Sequence, residues 1–183
     1  MTELITLPLT GLEVPHTRYH LDDFEQMTTR NGIAFRATVN EGDYCLGVIE
    51  NGGNGGGTWF FQHTAKDRQA MEEFTDACRL NGRPISAERV YELLVDQHDL
   101  AQEAARCKRQ RTSLLRGLHG GEWHGMTVVA KVPSVWLARG DYPYMGHLAR
   151  DLAQHRPAPE VWQVWDGEQW KNLTLPAATR DAA

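Results

Sequence analysis

The chain has 183 residues, of which 41% are hydrophobic, 23% charged and 9% aromatic. These fractions are typical of a folded globular protein and exclude a disordered one. No apolar run is long enough to span a bilayer, and the first residues lack the basic and apolar regions of a secretion signal. We therefore expect a cytoplasmic protein. Its three widely spaced cysteines fit reduced, buried thiols better than a disulfide scaffold.

Charge is distributed unevenly along the chain, although the net charge is only −5. Residues 1–105 carry 17 acids against eight bases, whereas residues 106–156 carry nine bases against three acids. A local field of one sign attracts partners of the opposite sign. The basic part of the chain is therefore the strongest indication of a partner in this sequence.

The first third of the chain predicts a small antiparallel sheet. A turn at Gly42 and the glycine-rich segment of residues 51–57 separate stretches that alternate between apolar and polar residues. Such alternation, with a period of two, is typical of strands. The predicted strands cover residues 4–9, 33–39, 44–50 and 58–62, and the last three form a meander.

Helical patterns occur in a short segment before the meander and in longer segments after it. Residues 21–27 predict one or two helical turns, and a longer helix begins where Thr64 and Asp67 form the pattern of a capping box. We expect Gly82 to end that helix, because glycine adopts the left-handed conformation common after a helix. Ser86 is the expected N-cap of a second helix, whose apolar face extends to Cys107.

Two interpretations compete after Arg109. The second helix either continues to Leu118, or residues 112–118 form a strand that pairs with residues 126–132 across a glycine-containing loop. We favour the hairpin, because the glycines and the flanking apolar runs bracket it well.

The last part of the chain predicts a third helix and a hairpin. Asp141 is the expected N-cap of this helix and Pro157 its end, and residues 161–173 form a hairpin around an Asp-Gly turn. No linker divides the chain, so we expect one α+β domain over residues 1–175. Residues 176–183 are expected to form a flexible tail.

The glycine-rich segment 51–57 is the most conspicuous motif. A phosphate-binding loop would need a following helix, and a Walker loop would also need a lysine, but an aromatic strand follows here. The segment therefore predicts a mobile or bulged connection between strands. Asn54 and Gly55, in its middle, are candidates for contact with a partner.

Residues capable of catalysis or metal binding form no recognised motif. No serine lies in a Gly-x-Ser-x-Gly elbow, and neither histidine set has the residues of a zinc protease. We interpret the candidates as surface histidines and a buried thiol, and we expect no catalytic residue, no cofactor and no metal. These candidates are His16 with His20, then His119 with Glu122 and His124, and Cys107.

The basic segment, residues 106–111, supports three interpretations. Its side chains neutralise the acidic helices before it, or they bind an acidic protein, or they bind the phosphates of a nucleic acid with Trp123 and Trp136 stacking on bases. A sequence pI near 5.9 argues against nucleic acid. The candidate partner-binding residues in and around the segment are Arg106, Lys108, Arg109, Arg111, Arg116, Trp123 and Lys131.

The stretch from Gly32 to Gly57, a hairpin followed by a glycine-rich loop, is similar to a pattern in small uncharacterised proteins of phages and bacterial mobile elements. It covers about a seventh of the chain. The resemblance implies an accessory protein, such as an inhibitor, that acts inside a bacterium. We therefore expect a non-catalytic protein that binds a bacterial protein, with nucleic-acid binding by residues 106–131 as the alternative. An enzyme with a Cys or His centre ranks third.

Overall fold

A computed structural model describes residues 3–176 of the chain. These residues form four helices and three antiparallel sheets of four strands each, which confirms the predicted α+β class. The chain divides into two compact units, one ending at Asp99 and the other beginning at Leu100. The single domain expected over residues 1–175 stays a prediction. None of the helices in the described residues is long and apolar enough to cross a membrane.

The first unit contains two sheets and a helix, and a second helix begins in it. Its strands are β1 (Ile5–Thr6), β2 (Leu12–Val14), β3 (Tyr19–Thr28), β4 (Ile33–Glu41), β5 (Tyr44–Gly52), β6 (Trp59–Gln62), β7 (Arg79–Leu80) and β8 (Arg83–Pro84). Its helices are α1 (Ala65–Ala77) and α2 (Ala87–Gln110), and α2 continues into the second unit. The larger sheet has the order β3-β4-β5-β6, and the smaller one has the order β1-β2-β7-β8.

One face of the larger sheet forms the core of the first unit. Ala37 lies opposite Ile49, and Ile49 lies opposite Phe60, so all three side chains point to the same face. They belong to one apolar cluster with Met71 of α1 and Val90 of α2. The predicted meander of β4, β5 and β6 is confirmed.

The helical turns predicted at residues 21–27 are wrong, because this segment lies within the ten-residue strand β3. Its register shifts between Asp22 and Glu25, and Asp23 has a φ of 48°. This bulge interrupts the alternation by which a strand is recognised. The buried Leu21, which pairs with Val39, keeps the strand in place.

The start of α1 was predicted correctly, but its end was not. Thr64 and Asp67 form the expected capping box, in which each side chain accepts a bond from the other residue's backbone N–H. The helix ends at Ala77, not at Gly82. Asn81 and Gly82, with φ values of 52° and 72°, instead form the turn between β7 and β8. An Asn-Gly pair is a strong hairpin signal, because both residues tolerate a positive φ.

The second unit contains one sheet and two short helices. Its elements are β9 (Ser113–His119), β10 (Glu122–Ala130), α3 (Ser134–Arg139), α4 (Met145–Leu152), β11 (Val161–Trp165) and β12 (Trp170–Asn172). The sheet order is β10-β9-β11-β12, which confirms both predicted hairpins and adds a pairing between β9 and β11. Its apolar cluster includes Leu115, Leu152, Trp162 and Val164.

The helices of this unit differ from the prediction. Helix α3 was not predicted, because its six residues are too few to establish a periodicity. Tyr144, not Asp141, occupies the N-cap of α4, and no side chain there accepts a capping bond. Of the predicted tail, residues 177–183 lie outside the described residues.

Gly47 allows β6 to approach β5. A Cβ atom at this position would collide with the carbonyl oxygen of Phe61 and with the ring of Phe60. We expect Gly47→Ala to lower the free energy of unfolding by about 1–3 kcal/mol, the usual cost of overpacking. Urea denaturation measures the change.

Gly146→Ala is the control for this substitution. Gly146 lies in helix α4 with open space around its Cβ position, and alanine is the better helix former. We expect this variant to be as stable as the wild type or slightly more stable. Equal effects of the two substitutions would contradict the packing described for Gly47.

Candidate binding cleft at the end of the second helix

Two backbone hydrogen bonds end α2. The Thr112 N–H donates to the Cys107 carbonyl over 3.0 Å, and the Arg111 N–H donates to the Lys108 carbonyl over 3.4 Å. This is the pattern of a Schellman motif, in which the residue after the helix takes a left-handed conformation. The motif turns the chain directly into β9 at Ser113. The segment after Arg109 is therefore one further residue of helix, a turn and then the predicted strand.

The left-handed residue of this motif is Arg111, with a φ of 55°. Glycine is usual at such a position, because a Cβ atom there costs about 1 kcal/mol. A side chain in an unfavourable backbone conformation is a reason to look for a function of that side chain.

Arg111 lines a cleft of about 490 Å³ in the second unit. Lys108 lies beside it on the last turn of α2, and the half-buried Trp165 at the end of β11 lines the cleft as well. The rest of the lining is mostly apolar or hydroxylic and includes Ala104, Ala105, Cys107, Thr112, Pro133, Ser134 and Val135. The cleft thus combines an apolar interior with two cations.

The cations at this end of α2 are exposed, and most have no acidic partner in the described part of the chain. Arg106 pairs with Glu103 over 2.7 Å. Within residues 3–176, by contrast, no ion pair involves Lys108, Arg109 or Arg111. Among these four cations, pairing with an acid of the described residues therefore accounts for Arg106 alone. The other three also stabilise α2, because positive charge is favourable at a helix C-terminus.

The acid that lines the cleft, Asp166, already forms an ion pair with a lysine. Its carboxylate lies 2.8 Å from the Lys171 ammonium and accepts bonds from the backbone N–H groups of Glu168 and Gln169. The bond from Lys171 contributes most to lowering the pKa of Asp166, which falls to about 2. Asp166 therefore stays ionised but directs its charge toward Lys171, and the cleft keeps a positive character.

Arg116 contacts other side chains of its own sheet and does not line the cleft. Its Nε–H donates to Gln163 over 2.7 Å, and its guanidinium lies 4.3 Å from the centre of the Trp170 ring. Burial lowers the pKa of Arg116 to about 10. A cation stacked on an aromatic ring and bonded within its own sheet stabilises that sheet.

Trp123 and Lys131 are also separated from the cleft. The Trp123 indole N–H donates to the carbonyl of Met126, so the ring is bonded within β10, where the register of the strand shifts. Lys131 lines a different depression, together with Tyr142 and Asp151. Trp136, which the sequence suggested as a stacking residue, is half exposed on α3, next to the cleft-lining Val135.

The remaining predicted contact residues, Asn54 and Gly55, are exposed in the glycine loop of the first unit. Asn54 Oδ1 accepts a bond from the Gly56 N–H, and Asn51 Oδ1 accepts one from Gly53. Gly53 has a φ of 64°, and a Cβ atom there would collide with the backbone of Ala34. Side-chain bonds and close packing thus shape this loop, in addition to its glycines.

The histidines and the cysteine that the sequence offered as candidates for catalysis or metal binding are dispersed. Among the described residues, no three His, Cys, Asp or Glu side chains lie close enough together to hold a metal ion. His16 packs against the rings of Tyr19 and Phe74. Cys107 is buried, and burial raises its thiol pKa although the neighbouring Arg106 lowers it. The raised pKa opposes formation of a thiolate.

The carboxyl group with the most perturbed titration was not a candidate from the sequence. Burial raises the pKa of Asp96 in α2 to about 6, with smaller contributions from Arg89, which lowers it, and from two neighbouring carboxylates, which raise it. A perturbed pKa often marks a functional site, but only in combination with a cleft and suitable neighbours. Asp96 lines none of the clefts described above, so we treat it as a residue that affects stability.

Comparison of the chain with known protein families, with curated proteins and with solved structures finds no match.

Ionisation of Asp96 is expected to destabilise the folded protein. Because its pKa is higher in the folded state than in the unfolded chain, stability falls as the pH rises from about 4 to about 6 and is then constant. Asp96→Asn removes this effect. At pH 7 the variant should be more stable than the wild type by up to about 3 kcal/mol, and at pH 4 this difference should disappear. Urea denaturation at the two pH values measures it, and an equal difference at both would contradict the assignment.

Proposed function

We propose that this chain is a non-catalytic binding protein that holds an acidic segment of another protein in the cleft at the end of α2. The observation that carries the proposal is Arg111, a left-handed arginine that lines the cleft beside Lys108. Arginine is less stable than glycine at this position. A role for its guanidinium in binding explains why arginine is present there.

The composition of the cleft supports a protein partner. Its volume of about 490 Å³ accommodates one large apolar side chain, and Val135, Pro133 and Trp165 offer apolar contact. Lys108 and Arg111, which both line the cleft, offer two cations to carboxylates next to that anchor. Burying an apolar anchor and pairing exposed cations with acids is a common design for an interface, in which Trp and Arg dominate the binding energy.

The biological setting is part of the same proposal. The resemblance of residues 32–57 to proteins of phages and mobile elements supports an accessory factor or inhibitor that acts in a bacterial cytoplasm. A bacterial protein, from the host or from its defence machinery, is the partner proposed on that basis. Such a role requires binding alone, which is consistent with the dispersed arrangement of the potential catalytic residues.

Nucleic-acid binding is the second candidate function. It is favoured by Lys108, Arg109 and Arg111, which form no ion pair within residues 3–176. It is also favoured by the half-exposed Trp136, which follows the cleft-lining Val135. Basic side chains and an aromatic ring together are typical of single-strand binding. The negative net charge and the separation of Arg116 and Lys131 from the cleft favour the protein partner.

Replacing Lys108, Arg109 and Arg111 together by Glu should abolish partner binding, since it reverses the charge at the cleft. The tagged protein and this variant are used to capture partners from bacterial lysate, with and without nuclease. We expect a protein that is retained after nuclease treatment and absent with the variant.

The matched control replaces Arg30, Arg36 and Arg83, three exposed arginines of the first unit, by Glu. It changes the net charge equally and should leave capture intact. Loss of the interaction on nuclease treatment, together with a steep decrease of binding with salt, would favour the nucleic-acid alternative. Equal capture by both triple variants and the wild type would contradict a role for the cleft.

Arg111→Gly separates stability from binding. Glycine removes the strain of the left-handed conformation, so we expect the free energy of unfolding to rise by about 1 kcal/mol. Loss of the guanidinium should weaken binding of the captured partner about tenfold, in line with the contribution of one charged hydrogen bond. Urea denaturation and calorimetric titration measure the two effects.

Asn81→Gly is the control, because Asn81 is also left-handed but lies in the β7–β8 turn of the first unit. It should leave binding unchanged. An Arg111→Gly variant that binds normally would contradict the proposal.

A further inference from the structure

The two edges of the larger sheet differ in their protection against pairing with another strand. At the β3 edge, Asp22, Asp23 and Glu25 are exposed, and the bulge between Asp22 and Glu25 distorts the strand. Charges and bulges are the usual devices that prevent pairing at a sheet edge. The β6 edge has neither device.

Strand β6 is uncharged and aromatic, and among the described residues it pairs only with β5. Trp59 and Phe61 point to the face of the sheet opposite the core, since Phe60 between them points inward. Their side chains are 65% and 56% exposed. An unprotected edge with exposed aromatic side chains is a site for the addition of a strand.

We propose that β6 pairs with β6 of a second copy of this chain, in an antiparallel arrangement centred on Phe60. This two-fold arrangement places Trp59 of each copy opposite Phe61 of the other, on the open face of the sheet. Aromatic residues directly opposite each other are favourable cross-strand pairs. The strand is thus complementary to itself, which an isologous interface requires.

The charges at the two ends of β6 support the same arrangement. At its start, Glu88 Oε1 accepts a bond from the Thr58 N–H over 3.1 Å. After its end, His63 and Lys66 are exposed. Antiparallel pairing brings the start of one strand to the end of the other, so Glu88 of each copy faces His63 and Lys66 of the other. The opposite signs are favourable, and the symmetry provides the interaction twice.

The two edges together set the size of the assembly. Pairing through β6 uses the unprotected edge of each copy and joins two four-stranded sheets into one of eight strands. The remaining edges are both β3, where a symmetric contact would bring like carboxylates together. The result is a closed dimer. A four-residue strand makes a small interface, for which a dissociation constant on the order of micromolar is expected.

Sedimentation velocity over a range of protein concentrations tests the proposal on the full-length chain. We expect the wild type to change from monomer to dimer as the concentration rises. Phe61→Glu should weaken dimerisation at least about tenfold, because it places a charge against Trp59 of the other copy at the centre of the interface. Since Phe61 is largely exposed, the variant should keep the wild-type circular dichroism spectrum.

Met27→Glu is the matched control, because Met27 is 66% exposed but lies on β3, at the protected edge. It should dimerise like the wild type. A wild type that stays monomeric at hundred-micromolar concentrations overturns the proposal, as does a Phe61→Glu variant that dimerises normally. A monomeric wild type would mean that an extended segment other than β6 of a second copy pairs with this edge.

Cross-linking between mixed chains tests the register. Residues directly opposite each other in a sheet are close enough for a disulfide, whereas diagonal neighbours are too far apart. A Trp59→Cys chain mixed with a Phe61→Cys chain should therefore form a disulfide-linked heterodimer, identified by mass spectrometry. Neither variant alone should cross-link at position 59 or 61 to the same extent. Equal cross-linking of each variant with itself overturns the proposed register.

Discussion

The end of α2 is the feature on which the second unit depends. The hydrogen bond from the Thr112 N–H to the Cys107 carbonyl closes the helix and turns the chain into β9 at once. Without this closure, the cations of the last turn and the first residue of the sheet would not lie next to each other. The closure also requires a left-handed residue, and the sequence has arginine there. One backbone constraint thus determines both the start of the sheet and the position of Arg111 at the cleft.

That constraint gives the uneven charge of the chain a structural meaning. The basic residues between 106 and 156 do not form one continuous patch, because Arg116 is stacked within the sheet and Lys131 lies at another depression. Lys108 and Arg111, at the end of α2, combine exposure, the absence of an acidic partner within the described residues and an adjacent apolar cleft. The first unit has a different surface, the uncharged edge of β6. The two surfaces suggest two separate interactions, one with an acidic partner and one with a second copy.

The fold could be predicted from the sequence wherever a local pattern was strong. The alternation in β4, the capping box at Thr64 and the Asp-Gly turn before β12 all lead to the observed elements. Prediction failed where tertiary contacts or strain override the pattern, as at the bulge in β3 and the short helix α3. The candidate site was predictable only as a basic segment. Trp165 and Val135 reach the cleft through long-range pairing of strands, and no local signal marks Arg111 as left-handed because no glycine is present.

The central claim is that the cleft at the end of α2 binds an acidic protein segment. Chemical-shift mapping by NMR, with an acidic peptide that contains one large apolar residue as the probe, tests it most directly. The account predicts that the amide signals of residues 108–112 and 134–135 and the indole N–H of Trp165 shift together as peptide is added. Shifts confined to other parts of the chain, or no shifts at millimolar peptide, would contradict it.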